Sequence, residues 1–196
     1  MATIKDKEYK LLNKITSGDT AAMREFYNGY AGYLTAVCSR YIINRDDVKD
    51  ILQECFIKIF KSIGSFEYKG PGSVKAWTTR IVVNESLKFI QRNQRLEVCC
   101  SWDLPDVEED QDPDFDHVPM AVVLEMIRML PQGYRMVFNL YVFEEKSHRE
   151  IAEILNIAEN TSASQLHRAK NFLVKKINEY RNTSNKKWSY EQALVK

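Results

Sequence analysis

Residues 147–171, SHREIAEILNIAENTSASQLHRAKN, constrain the chain more than any other stretch, because they carry the pattern of two short helices meeting at a tight turn. Ser147 followed by Glu150 is a capping box, in which a hydroxyl and a carboxylate satisfy backbone N–H groups at a helix start. Ile151, Ala152, Ile154 and Leu155 form an apolar stripe, and the small Ala152 lets a second helix cross closely. Asn156 tolerates the left-handed backbone of a C-terminal cap, Ile157 plugs the turn, and Asn160 can cap the second helix. Along that helix Ser162, Leu166, Ala169 and Leu173 follow a four-three-four spacing toward a core, which leaves Thr161, Ser164, Gln165, His167, Arg168 and Lys170 facing outward. A polar, basic outer face suits a helix lying in the major groove of duplex DNA. The same pattern also fits an ordinary helical hairpin with a solvated face.

Charge is segregated along the chain although the formal net is only +1. Residues 1–95 carry 16 Lys/Arg against 10 Asp/Glu, residues 96–120 carry 9 Asp/Glu and no Lys/Arg, and residues 121–196 carry 12 Lys/Arg against 8 Asp/Glu. Two basic blocks flanking an acidic strip suggest two nucleic-acid-facing modules and an extended connector. A length of 196 residues suits one or two domains, and 44% hydrophobic residues can bury a core. The charged start MATIKDKEYK is not a signal peptide, and no apolar run approaches the ~20 residues that span a bilayer. These features predict a soluble, cytoplasmic protein without a membrane span. Cys38 and Cys55 fall on apolar helical faces and read as reduced core residues, while Cys99 and Cys100 are either idle thiols or a redox sensor.

The expected fold is all-α, with two helical domains joined by a flexible acidic linker. Residues 1–95 form the first domain, 96–118 the linker, 119–181 the second domain and 182–196 a polar C-terminal tail. In the first, helices are predicted over about 4–16, 20–42, 47–63 and 74–95. The third has the strongest stripe, Val48, Ile51, Leu52, Cys55, Phe56, Ile59, Phe60 and Ile63. Its opposite face holds Asp50, Gln53 and Glu54 with one apolar residue, Ile57, among them. An apolar residue ringed by polar ones suits a docking surface, although a single exposed Ile is also common. The loop 64–73, GSFEYKGPGS, brings Phe66, Tyr68 and Lys69 beside a helix carrying Arg80, Asn84, Lys88 and Arg92. Rings for bases and cations for phosphates are what single-stranded DNA binding requires, while Trp77 reads as core. Further helices are expected over about 119–129 and 131–143.

No constellation for catalysis stands out. The carboxylate pairs Asp46/Asp47 and Glu144/Glu145 occupy exposed or capping positions, and His117, His148 and His167 lack metal-ligand spacing. There is no P-loop, GxGxxG or GxSxG. The expectation is a protein that is not an enzyme, with no cofactor and no metal.

Two separated stretches carry a resemblance. DDVKDILQECFIKIFKSIGSF with AWTTRIVVNESLKFIQR (46–66 and 76–92) is similar to the second conserved region of bacterial RNA polymerase sigma factors, with its acidic start, QE-x-F core and W-x-x-R-I-x-x-N. LPQGYRMVFNLYVFEEKSHREIAEILNIAENTSASQLHRAKNFLVKKI (130–177) is similar to the fourth. In this order and separation they resemble the extracytoplasmic-function (ECF) group of alternative sigma factors. The resemblance implies a region 2-like four-helix domain and a region 4-like helix-turn-helix domain. It implies that Asp50, Gln53, Glu54 and Ile57 dock on the beta-prime clamp helices of core polymerase, with the beta flap as a second contact. Phe66, Tyr68, Lys69, Arg80, Asn84, Lys88 and Arg92 would hold the melted non-template strand of the minus-ten element, a flipped base meeting Phe66 and Asn84. Extruding a base costs a few kcal/mol, which such contacts must offset. Thr161, Ser164, Gln165, His167, Arg168 and Lys170 would meet the duplex minus-thirty-five element, and an anti-sigma factor would restrain the protein. The chain departs from the family pattern at Ser162 and Ala163, where many members carry an apolar residue and an arginine. Its loop before Trp77 is also one or two residues longer than is usual in that family.

The residues leave two other classes open. A stand-alone helix-turn-helix regulator would act as a dimer on a palindromic operator, but has no use for the aromatic loop or the acidic strip. An anti-sigma or adaptor protein would leave the outer face of 161–171 without purpose.

Overall fold

The computed structural model describes residues 4–93 and 112–193, with side chains described over 7–92 and 112–182. Cys99, Cys100, residues 96–111 of the acidic strip and the side chains of the expected tail lie outside the described residues. Among the described residues all regular structure is helical, and no helix is long and apolar enough to cross a membrane. The chain divides into two compact units, Met1–Arg95 and Leu96–Lys196.

The first unit contains α1 (Ile4–Thr16), α2 (Thr20–Tyr41), α3 (Arg45–Ser62) and α4 (Ser73–Asn93), with a short 3-10 turn at Ile63–Ser65. Each boundary has a local cause. Gly18 takes φ +86° after α1, a conformation open to glycine at little cost. The Asp19 carboxylate then accepts from Ala21 N and Ala22 N at 2.8 and 3.1 Å to open α2. Asn44 does the same for α3, accepting from Asp46 N and Asp47 N. The core is the apolar face of each helix: Ile15 from α1, Phe26, Leu34 and Val37 from α2, Ile51, Cys55 and Ile59 from α3, and Val74, Val82 and Ile90 from α4. A fully buried side chain of this size contributes about 1.5–3 kcal/mol relative to exposure. Cys38 and Cys55 are free thiols in that core. Burial pushes both thiols up, Cys55 to about 12, so neither is a reactive thiolate at neutral pH.

The second unit contains α5 (Met120–Arg128), α6 (Gln132–Val142), α7 (His148–Leu155) and α8 (Glu159–Ala193). Pro119 and Pro131 stand immediately before α5 and α6, where a missing N–H costs nothing. From Tyr134 to Leu140 every residue of α6 is buried, so α6 is the central helix of the unit. Arg135 is among them, at 6% exposed. Its Nη1 donates to the carbonyls of Arg128 and Leu130, both at 3.1 Å, and so satisfies acceptors left open at the end of α5. Burial, assisted by the nearby charge of Arg128, lowers its pKa to about 10, which still leaves it cationic at neutral pH. Both ends of α8 differ from expectation. α8 starts at Glu159, so Asn160 lies inside the helix, not at its cap, and α8 extends to Ala193 through the segment expected as a tail.

Removing Arg135 leaves both a void and open carbonyls. Arg135→Ala is expected to destabilise the second unit by roughly 2–4 kcal/mol, seen as a lower urea midpoint by circular dichroism. An unchanged midpoint would mean that these carbonyls need no such partner.

Candidate nucleic-acid interfaces

In the first unit, α4 buries one row and exposes another. Val74, Thr78, Val82, Ser86 and Ile90 face the core at four-residue spacing. Arg80, Asn84, Lys88 and Arg92 are all exposed at the same spacing, so they form one polar row. The hydroxyls of Thr78 and Ser86 would be costly to bury alone, but they donate to Val74 O (2.9 Å) and Val82 O (2.8 Å). Lys88 is not a free cation. Its Nζ lies 3.1 Å from Glu85 Oε1, and Lys58 of α3 pairs with the other oxygen of the same carboxylate. Glu85, only 7% exposed, is a buried acid that the sequence reading missed. Burial alone would raise it, but the hydrogen bonds and charges of the two lysines outweigh that and leave its pKa lowered. The signal was present: Lys58, Glu85 and Lys88 are charges at the edges of apolar stripes, but pairing between helices is not visible in spacing.

The loop between the 3-10 turn and α4 is built. Gly70 and Gly72 take φ +113° and +87°, which side chains rarely adopt. Ser73 Oγ donates to Gly70 O (2.6 Å) and accepts from Lys69 N (3.3 Å). Phe66 stacks on Trp77, ring centres 4.4 Å apart at 23°. Trp77 is half-buried, so it is the platform for Phe66 rather than a fully enclosed core residue. Tyr68 is half-buried and its hydroxyl donates to Glu8 Oε2 at 3.1 Å, so this ring is tied to α1. Lys69 is exposed, 3.7 Å from Glu67. Along α3, Asp50, Gln53, Glu54 and Ile57 are all exposed on one face, with Ile57 at 53%.

In the second unit the capping box forms as the sequence predicts. Ser147 N and Oγ donate to Glu150 Oε2, each at 2.9 Å, and Ser147 Oγ accepts from Glu150 N at 3.3 Å. Asn156 ends α7 in the left-handed conformation, φ 52° and ψ 52°. Ser162, Leu166, Ala169 and Leu173 of α8 are buried, as the spacing predicts. Ser162, polar in an apolar position, is satisfied by His148 Nδ1 at 3.0 Å, and Tyr141 stacks on that imidazole at 5.0 Å. This side-chain bridge joins α7 to α8 and was not foreseen.

The outer face of α8 is less uniform than its spacing implies. Ser164 and Arg168 are exposed, and Arg168 Nη1 donates to Tyr134 Oη at 3.4 Å. Thr161 is half-buried. Gln165 is half-buried too, its amide lying against Gly133, where an added Cβ would stand 3.3 Å from Gln165 Oε1. His167 shares a hydrogen bond with Asn171 at 3.0 Å. Lys170 lies 2.6 Å from Asp112. Arg181 Nη2 donates to Asp114 O, Asp114 Oδ2 and Asp116 O at 3.0–3.1 Å. The described end of the acidic strip is thus held along α8. Among the described residues no group of His, Cys, Asp or Glu is arranged to hold a metal.

The chain matches the family models for Sigma-70 region 2 over residues 26–96 and Sigma-70, region 4 over residues 120–173. It is 27% identical over 179 residues to the ECF RNA polymerase sigma-E factor of Haemophilus influenzae, covering 85% of this chain and 93% of that one. It is 26% identical over 179 residues to the protein of the same name from Escherichia coli K12, covering 85% and 92%. It is 28% identical over 129 residues to RNA polymerase sigma factor SigV of Bacillus subtilis, covering 66% and 75%.

Glu150 gives a pH test of the capping box. The Lys146 ammonium, then the Ser147 N–H and hydroxyl, hold its pKa down to about 2, against 4.5 for a free carboxyl. A carboxyl lowered in the folded state stabilises fully above its unfolded pKa and less as pH falls through the folded value. The contribution should therefore be present above pH 4.5 and fade toward pH 2. Thermal melts of wild type and Glu150→Gln should converge over that window; a constant gap would contradict it.

Proposed function

The chain belongs to the sigma-70 family of RNA polymerase sigma factors, in the extracytoplasmic-function group, and on that premise we propose which of its surfaces perform each task. It is an alternative sigma factor, a subunit that binds core RNA polymerase and directs initiation at one promoter class. Sigma factors are initiation factors, not enzymes, and we assign this chain no catalytic role and a cytoplasmic location.

The observation that carries the residue assignment is the exposed row Arg80, Asn84, Lys88 and Arg92 on the helix that also seats the Phe66–Trp77 stack. Cations track phosphates and a flat ring accepts a base, which is the chemistry of a melted single strand. We assign this row with Phe66 and Lys69 to the minus-ten element, and residues 1–95 to that domain. Lys88 acts from within its pair with Glu85. The face Asp50, Gln53, Glu54 and Ile57 docks on the beta-prime clamp helices: an exposed Ile among acceptors gives an apolar centre with a polar rim. In the domain 119–181 Arg168 and Ser164 lead the minus-thirty-five contact, flanked by Thr161 and His167. Gln165 and Lys170 contribute only if they leave Gly133 and Asp112. An anti-sigma factor is the regulatory partner that family membership implies. A stand-alone regulator is not favoured, since two sigma regions occupy one chain in order.

Gln53→Ala combined with Glu54→Ala should abolish co-purification with core polymerase while the fold is unchanged. Arg168→Ala should lower promoter-dependent transcription roughly tenfold, the scale of one lost arginine contact to a base. Full core binding in the first case, or full activity in the second, would overturn the corresponding assignment.

A further inference from the structure

A carboxylate on α1 joins two tyrosines that are distant in sequence. Glu8 Oε1 accepts from the Tyr30 hydroxyl and Oε2 from the Tyr68 hydroxyl, each at 3.1 Å. The Tyr30 ring stacks on Phe26, 4.5 Å centre to centre, and Phe26 is 1% exposed. Tyr9, next to Glu8, sets its ring 5.8 Å from that of Tyr68. A line of contacts thus runs from the core through Phe26, Tyr30 and Glu8 to the loop after the 3-10 turn. We propose that Glu8 is a positioning residue for this loop, tying Tyr68 to α1 while Phe66 is tied to α4, and so sets how sharply the chain selects its minus-ten element. The inference rests on the assignment of that loop to the minus-ten strand.

Hydrogen bonds to an ionised carboxylate are stronger than neutral ones. Tyr30 stays a donor, because burial and then the Glu8 charge raise its pKa and keep the phenol protonated. The loop needs such an anchor, since Gly70 and Gly72 give its backbone wide freedom. Without Glu8, Phe66 keeps Trp77 but Tyr68 loses its hydrogen bond to α1, the contact that fixes the direction of its hydroxyl. A loop with several conformations binds right and wrong elements more equally, because ordering it opposes binding to each.

The test uses holoenzyme, reconstituted from full-length chain and its core polymerase, on a promoter library randomised at the minus-ten positions, with transcripts sequenced. Glu8→Ala and Tyr68→Phe should each reduce discrimination between the best and altered minus-ten elements about 3- to 10-fold, the scale of a partly exposed hydrogen bond to a charge. The double variant should lose no more than either alone, and Glu8→Gln should recover part of the loss, since its amide oxygen still accepts one hydroxyl. Preference at the minus-thirty-five positions and core affinity should stay constant. If Glu8→Ala folds poorly, Tyr68→Phe, which removes one oxygen, carries the test. Full discrimination in both variants, additive losses, or an equal loss at the minus-thirty-five positions would overturn the proposal. Phe66→Ala is run in parallel. If it loses discrimination and the Glu8 and Tyr68 variants do not, only this proposal fails; if it too discriminates fully, the loop assignment fails and takes the proposal with it.

Discussion

The roll of α4 about its own axis is the constraint on which the first unit depends. A helix presents whichever face its neighbours leave uncovered, and here small residues decide the matter. Thr78 and Ser86 are fully buried, return their hydroxyls to carbonyls one turn back, and leave room for α2 to approach; Cys38 and Ser86 meet at 3.5 Å. With that row inward, Arg80, Asn84 and Arg92 must point outward, and Trp77 is left at the edge where Phe66 can lie on it. Larger apolar residues at 78 and 86 would push α2 away. The Lys58–Glu85–Lys88 group then ties α3 to α4.

The second unit solves a related problem with fewer residues. α7 is only eight residues long, too short to be stable alone. It persists because its start is closed by Ser147 and Glu150, its end by the left-handed Asn156, and its side by the His148–Ser162 bond. This accounts for a departure from the family pattern: a serine can stand where an apolar residue is usual, because its buried hydroxyl has a hydrogen-bond partner. The acidic strip introduces a competing feature, since Asp112 already occupies Lys170 in the free chain. If Lys170 serves the proposed minus-thirty-five contact, DNA has to displace that carboxylate first.

Much of this was legible in the residues because the relevant signals are local. Helix starts at Thr20 and Arg45 follow from Asp19 and Asn44, and the buried set Ser162, Leu166, Ala169 and Leu173 follows from spacing alone. The outward row of α4 and the face of α3 follow for the same reason. What spacing could not show are contacts between side chains far apart in sequence. Glu8 with Tyr68, Lys58 with Glu85 and Lys170 with Asp112 all join separate elements, and each alters a residue that periodicity alone leaves facing solvent. Asn160 failed for a subtler reason. It is a good cap, but the turn closes two residues early and α8 begins at Glu159.

The account joins these local facts into one claim, that two helical units act on two elements of a single promoter when held by polymerase. Mapping the 5′ ends of transcripts made by core polymerase on genomic DNA, with and without this chain, tests it most directly. The account predicts new start sites preceded by one shared pair of elements at constant separation. Starts that do not depend on the chain, or that share only a single palindromic element, would contradict it.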